Sequence, residues 1–282
     1  MKKITIVLAL LVSAIYFRTF SWLVNTWLTD PYYSHGFLVL MIAAFIAWRR
    51  GKSEIKPEPF KHGFSIFVFG LILCAIGYIK IFPFLSALSF LFTISGLILY
   101  FYGKPMMRAL LFPVSYLIFA IPLPLILLKE LTTILQSFSA RYSASIIELL
   151  GIPVERTGAA IHLQHAAFEI GLPCSGMNTL ISLLAMAAIL IYLLRCPMHK
   201  KAALFCAAVP IALGANILRI VSILLVAHVY GEEAAMRFFH DFSSILLFLV
   251  AVSGLLIVGK VFRCTLRSPE KKKLPDNPVK RV

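Results

Sequence analysis

Residues 202–230 read AALFCAAVPIALGANILRIVSILLVAHVY, a stretch in which Asn216, Arg219 and His228 are the strongly polar interior members. A run this long and this apolar satisfies its backbone within one helix and crosses a hydrocarbon layer of about 30 Å. The rest of the chain is of the same kind, since 60 % of its 282 residues are hydrophobic and 14 % charged. Soluble domains carry about a quarter charged residues. Further apolar runs lie near 4–24, 35–48, 64–79, 82–102, 108–122, 174–194 and 242–262. Together with 202–220 they predict an all-α polytopic membrane protein of about eight transmembrane helices. Residues 1–266 are expected to form a single integral membrane domain, and 267–282 a basic cytoplasmic tail without fixed structure.

Lys2 and Lys3 precede an apolar core from Ile4 to Phe17, as they would in a signal peptide. No small-residue cleavage site follows, so the stretch reads as a retained first span.

Basic residues orient the chain, because Lys and Arg are held on the cytoplasmic side of short loops. Alternate loops carry Lys2 and Lys3; Arg49, Arg50, Lys52, Lys56 and Lys61; Lys104 and Arg108; Arg195, Lys200 and Lys201; and a tail from Lys260 onward. Both termini are therefore expected in the cytoplasm of a cell bounded by a cytoplasmic (inner) membrane. The net charge of +15 follows from this topology and from attraction to anionic membrane lipid, so no nucleic-acid partner is needed.

The outer segment from Leu123 to Pro173 differs from a plain loop. Between Leu125 and Leu150 apolar residues recur at helical spacing beside Lys129, Glu130, Gln136, Arg141 and Glu148, the pattern of an extracytoplasmic interfacial helix. From Val154 to Ile170, β-branched residues flank Gly158 and alternation runs through Ile161, His162, Leu163 and Gln164. That predicts a small β-hairpin before the sixth span.

Three reactive groups then fall beside the outer ends of three apolar spans. Cys174, in Gly171-Leu172-Pro173-Cys174-Ser175-Gly176, sits where a helix begins, and there the helix dipole and unbonded amides favour a thiolate. The alternative is an inert thiol. Arg219 lies 17 residues beyond Ala202, or about 25 Å along a helix axis, which brings it to the outer interface. An intramembrane Arg is costly and so a functional candidate, the alternative being a snorkelling anchor. Asn216 lies one turn from it on the same face and would orient it. His240 precedes the last span among aromatics, where an interfacial histidine is the simpler explanation. His35, His162, His165 and His228 compete with it as the base. Asn178 is expected to bond between helices. Cys74, Cys196, Cys206 and Cys264 fall within spans or on the cytoplasmic side, and no Cys/His spacing suggests zinc.

At these residues the chain resembles the exosortase/archaeosortase family of multipass, transpeptidase-like membrane proteins. The resemblance spans nearly the whole chain through Tyr33-Ser34-His35-Gly36, Ile121-Pro122-Leu123-Pro124, the hairpin leading to Cys174-Ser175-Gly176, Asn216-Ile217-Leu218-Arg219-Ile220, and His240. A further region often appended after the last span in that family is not expected here. The resemblance implies a Cys174, Arg219 and His240 active site at the extracytoplasmic face, with no metal or organic cofactor. It implies as substrates exported proteins ending in a short motif, a transmembrane helix and a basic tail, with a glycan or lipid as a candidate acceptor. The bacterial exosortase branch, whose signal begins Pro-Glu-Pro, is favoured over the archaeal one. Rival readings are a transporter or flippase using Arg219 as an anion site, and a noncatalytic membrane scaffold.

Overall fold

A computed structural model of the protein describes residues 2–51, 55–163, 166–169, 176–238 and 244–266. The basic tail expected at 267–282 lies outside them.

The first expected span is broken. Helix α1 (Lys2–Ile15) and helix α2 (Phe17–Thr29) meet at Tyr16 with a bend of 64°. Side-chain hydroxyls gather at the bend. Tyr16 Oη lies 2.8 Å from both Ser89 Oγ and Thr93 Oγ1, and Tyr78 Oη donates to the Ile15 carbonyl at 2.7 Å, where the helical ladder is interrupted. Apolar surroundings offer such a carbonyl no water, so another side chain takes its place.

Helix α3 (Gly36–Gly51) follows a turn, and helices α4 (Gly63–Ile79) and α5 (Pro83–Tyr116) then pack as an antiparallel pair. Gly63, Gly70 and Gly77 recur every seven residues on α4 and are buried. A β-carbon at Gly70 would stand 2.7 Å from the Thr93 amide nitrogen, and one at Gly77 would stand 2.8 Å from that of Ser86. Small residues let the two backbones touch where lipid supplies no hydrophobic drive between helices. Helix α5 joins the expected fourth and fifth spans, interrupted at Gly103 with φ 79° and ψ −172°. The Glu58 amide takes up the Tyr102 carbonyl at that break, at 3.2 Å.

A short 3-10 turn (Leu117–Ala120) leads to the Ile121–Pro124 segment, which is clamped by the turn between α2 and α3. Trp27 Nε1 donates to the Ala120 carbonyl at 2.8 Å, His35 Nε2 to the Phe119 carbonyl at 3.2 Å, and the Leu123 amide to Tyr33 Oη at 2.9 Å. Burial pushes the Tyr33 phenol up to about 12, so this acceptor stays neutral. The clamp aims helix α6 (Leu125–Leu149) at the second half of the molecule.

There, β1 (Val154–Thr157), β2 (Ala160–Leu163) and β3 (Ala166–Glu169) form an antiparallel sheet, one strand more than the expected hairpin. Ile161 is fully buried beneath it, among Ala140, Ala144 and Ile147 of α6 and Ile220, Val221 and Leu224 of α8. Helices α7 (Met177–Leu193), α8 (Met198–Tyr230) and α10 (Ser244–Val261) share a second core. In it Ala187, Ala208, Ala212 and Ala251 permit close approach around Leu183, Leu204 and Leu255. The short helix α9 (Glu232–Phe238) folds back on α8, and two-residue strands β4 (Leu194–Arg195) and β5 (Thr265–Leu266) pair near the start of α8.

Among the described residues, Pro83–Ala120 and Met198–Tyr230 are long and apolar enough to cross a membrane, and the bent α1–α2 pair makes a third if counted as one span. Gly63–Ile79, Met177–Leu193 and Leu247–Val261 are apolar but shorter. A helix of 17 residues is about 25 Å long, less than the full hydrocarbon thickness. Helix length among the described residues does not by itself establish the expected count of about eight spans.

Candidate functional site at Asn216 and Arg219

Helix α8 is apolar on every side, so polar side chains within it are conspicuous. Asn216 and Arg219 lie one turn apart and are 3 % and 7 % exposed. A guanidinium remains charged under essentially all conditions, so burying Arg219 keeps a permanent cation inside an apolar protein. From Met198 it stands about 30 Å along the helix, well past the middle.

Helix α6 supplies the opposing surface. Ser139, Ala140, Ser143 and Ala144 form a small-residue face on which α8 settles. Asn216 Nδ2 donates to Ser139 Oγ at 2.9 Å, and Ser143 Oγ contacts the Ile217 carbonyl at 3.4 Å. Sequence reading did not find Ser139. An i, i+4 pair of serines in a helix otherwise read for its apolar face was the available signal.

Gly176 closes the group. It caps α7 in the left-handed region, at φ 76° and ψ −1°, and a β-carbon there would lie 2.7 Å from Asn216 Cγ. Gly176, two positions after Cys174 in sequence, is thus pressed against the helix face one turn before Arg219. Asn178, expected to bond between helices, is exposed, and Asn216 makes the interhelical amide contact instead. The reason is rotational: α7 buries Met177 and Ile181 at its start and turns position 178 outward.

Helix α9 returns along the same stretch of α8. Ala235 is fully buried against Ile223 and Ala227, with Leu163 of β2 beside them. Cys174 and His240 both lie outside the described residues. Their described neighbours in sequence, Gly176 and the α9 helix ending at Phe238, pack on Asn216 and on Ile223 and Ala227 respectively. That portion of α8 is about 16 Å long and contains Arg219.

The competing histidines fall elsewhere. His35, at the α2–α3 turn, is held by the Phe119 carbonyl of the 3-10 turn that follows α5. His162 is exposed on β2, His228 is exposed near the end of α8, and His165 lies outside the described residues. Among the described residues no group of three or more His, Cys, Asp or Glu is placed to hold a metal. What the described site offers chemically is a buried, fixed cation beside an amide and a left-handed helix start. Such a cation favours a bound anionic group or a negative charge that develops during a reaction.

A family model described as transmembrane exosortase matches residues 27–257, a range that includes Gly176, Asn216 and Arg219. No curated protein and no solved structure matches the chain.

Proposed function

Because this chain belongs to the transmembrane exosortase family, we propose that it is a cysteine transpeptidase or protease that removes C-terminal sorting signals from exported proteins. The observation that carries this reading is the burial of Arg219 one turn from Asn216, which in turn packs on Gly176, two residues past Cys174.

In this reading the Cys174 thiolate attacks the carbonyl carbon of the scissile peptide, and the developing oxyanion is met by the Arg219 guanidinium. The C–N bond then breaks. His240, protonated on taking the thiol proton, returns that proton to the departing amine, which leaves with the substrate's transmembrane helix and basic tail. A hydroxyl or amine of a glycan or lipid acceptor, or water, attacks the thioester carbonyl and passes its proton to His240, restoring the thiol. A fixed planar cation suits this role, because it needs no proton of its own to remain charged.

The topology belongs to the same proposal. Basic loops at Arg49–Lys61, Lys104–Arg108 and Arg195–Lys201 support cytoplasmic termini in an inner membrane and an extracytoplasmic site. The amphipathic α6 would lie at the outer interface. Substrates of the bacterial branch, with a signal beginning Pro-Glu-Pro, are the class to try first.

Replacing Cys174 by Ala in cells making a reporter with such a C-terminal signal should leave the enzyme inserted and let uncleaved reporter accumulate. Normal processing in that strain would remove Cys174 as the nucleophile.

A further inference from the structure

The far end of α8 carries charge that no described acidic residue neutralises. Strands β4 and β5 pair there, Arg195 opposite Thr265, and Cys196 is joined to Cys264 with 5.2 Å between their Cα atoms. This ties the start of α8 to the end of α10. Beside the bond lies an open cleft of about 520 Å³ lined by Leu194, Arg195, Cys196 and Lys201.

Neighbouring cations already have partners. Lys200 Nζ donates to the Phe262 carbonyl at 3.0 Å, and Arg50 Nε donates to Tyr192 Oη at 3.0 Å. The Arg195 and Lys201 side chains form no ion pair or hydrogen bond among the described residues. Residues 176–231 and 244–266 contain no Asp or Glu, so neither element flanking the cleft supplies a carboxylate. Lys201 also sits in the first turn of α8, where the helix dipole disfavours a cation. Two cations on a covalently braced frame are thus left without a counter-charge among the described residues.

The geometry points to a binding site for a phosphate group in the Arg195–Lys201 cleft, of the kind carried by an anionic phospholipid headgroup. The frame distinguishes it from a diffuse basic loop. Arg195 is fixed by β-pairing, Lys201 by the helix, and Cys196 between them by its bond to Cys264. Leu194 is buried and gives the cleft an apolar wall. A basic pocket at the end of membrane helices is a setting in which phosphate headgroups are held. The inference does not depend on the proposed peptidase chemistry, since the cleft lies at the opposite end of α8 from Arg219.

Full-length protein purified in detergent, exchanged with phosphatidylglycerol or phosphatidylcholine and analysed by native mass spectrometry, tests it. Wild type should retain phosphatidylglycerol over phosphatidylcholine. Arg195→Gln/Lys201→Gln should reduce that retention about tenfold or more, as expected for two lost headgroup contacts. Arg195→Lys should keep most of it, and a charge-matched control, Arg49→Gln/Lys56→Gln, should be unchanged. Equal loss in both double variants, or loss in neither, would overturn the site. If inorganic phosphate alone raises the melting temperature of wild type but not of the cleft variant, and phosphatidylglycerol is not retained, the cleft takes free phosphate rather than lipid. Because the readout is lipid retention, its failure leaves the Cys174 reading untouched, and normal processing by Cys174→Ala leaves this site untouched.

Discussion

Gly176 and Asn216 are in backbone-to-side-chain contact so close that only a glycine fits the first position. The distance from a notional β-carbon at Gly176 to Asn216 Cγ is 2.7 Å, and φ is 76°. Gly176→Ala therefore meets two penalties at once, a left-handed backbone costing about 1–2 kcal/mol and a clash with a side chain tied to Ser139. The variant should insert normally and process a sorting-signal reporter at least about tenfold more slowly, because a displacement of about 1 Å near a reacting group costs about 10²-fold. Adding Asn216→Ala relieves the clash but leaves the backbone strain, so recovery should be partial. Full wild-type processing by Gly176→Ala, measured by immunoblot of the reporter, would show that the contact does not position the site.

Arg219 divides the catalytic reading from the anchoring one. A snorkelling anchor tolerates Lys, which keeps the charge, whereas oxyanion binding uses the planar fork. Arg219→Lys should lower reporter processing by about 10²-fold, in the range seen when one oxyanion donor is removed, with unchanged membrane abundance. Near-normal processing by Arg219→Lys and loss of membrane abundance in Arg219→Gln would together identify an anchor.

The helical membrane class was legible from composition and from runs such as 202–230, because hydropathy and helix length are properties of a single segment. The α6 helix and the strands around Gly158 were legible for the same reason. The bend at Tyr16 was not, since it depends on Ser89, Thr93 and Tyr78, hydroxyls more than sixty residues away in sequence. Nor was the Cys196–Cys264 bond, because pairing depends on how closely the two Cα atoms approach and how their Cβ bonds point in the fold, across 68 residues of sequence. In the candidate site, Arg219 stood out as a charge in an apolar run. Ser139 and the Gly176 contact did not, because a serine in a helix and a glycine in a turn acquire meaning only from what packs on them.

The glycine repeat on α4 carries a stability prediction. At Gly70 an added methyl would meet Thr93 Oγ1 and the Thr93 backbone, and neither can withdraw, since Thr93 also holds Tyr16 Oη at 2.8 Å. Gly70→Ala should destabilise the protein by about 1–3 kcal/mol, the usual cost of overpacking, and lower its melting temperature in detergent. Gly51, with nothing within 4 Å of its notional β-carbon, supplies the control: Gly51→Ala should leave the melting temperature unchanged.

The bond between Cys196 and Cys264 spans 68 residues, for which the chain-entropy argument gives about 4 kcal/mol as an upper limit. Inserted helices confine the unfolded chain and reduce that gain. Cys196→Ser should therefore lower the melting temperature, and reductant should bring wild type down to the variant's value. In a Cys174→Ser/Cys206→Ser background, an impermeant maleimide applied after reduction should label this pair in inside-out vesicles and not in right-side-out ones. Labelling in the opposite vesicles would reverse the proposed orientation.

His35 gives the stability a pH dependence whose sign follows from its surroundings. It lies in the turn before α3, and burial holds its imidazole below the usual histidine range against the opposing effect of the Phe119 carbonyl. The folded state thus resists protonation more than the unfolded chain, whose histidine titrates near about 6.5. Where the unfolded chain binds the extra proton, stability rises with pH. The His35 contribution is therefore complete above that value and is lost as the pH falls below it toward the lowered folded value. Melting temperature measured between about pH 7.5 and pH 5 should decline on the acid side, and His35→Gln, which can still donate to Phe119, should flatten that decline. The variant should also be somewhat less stable at neutral pH, because Tyr33 and His35 together fix the segment that aims α6 at Asn216. An identical acid-side slope in wild type and His35→Gln would mean that His35 titrates freely and the clamp carries no pH dependence.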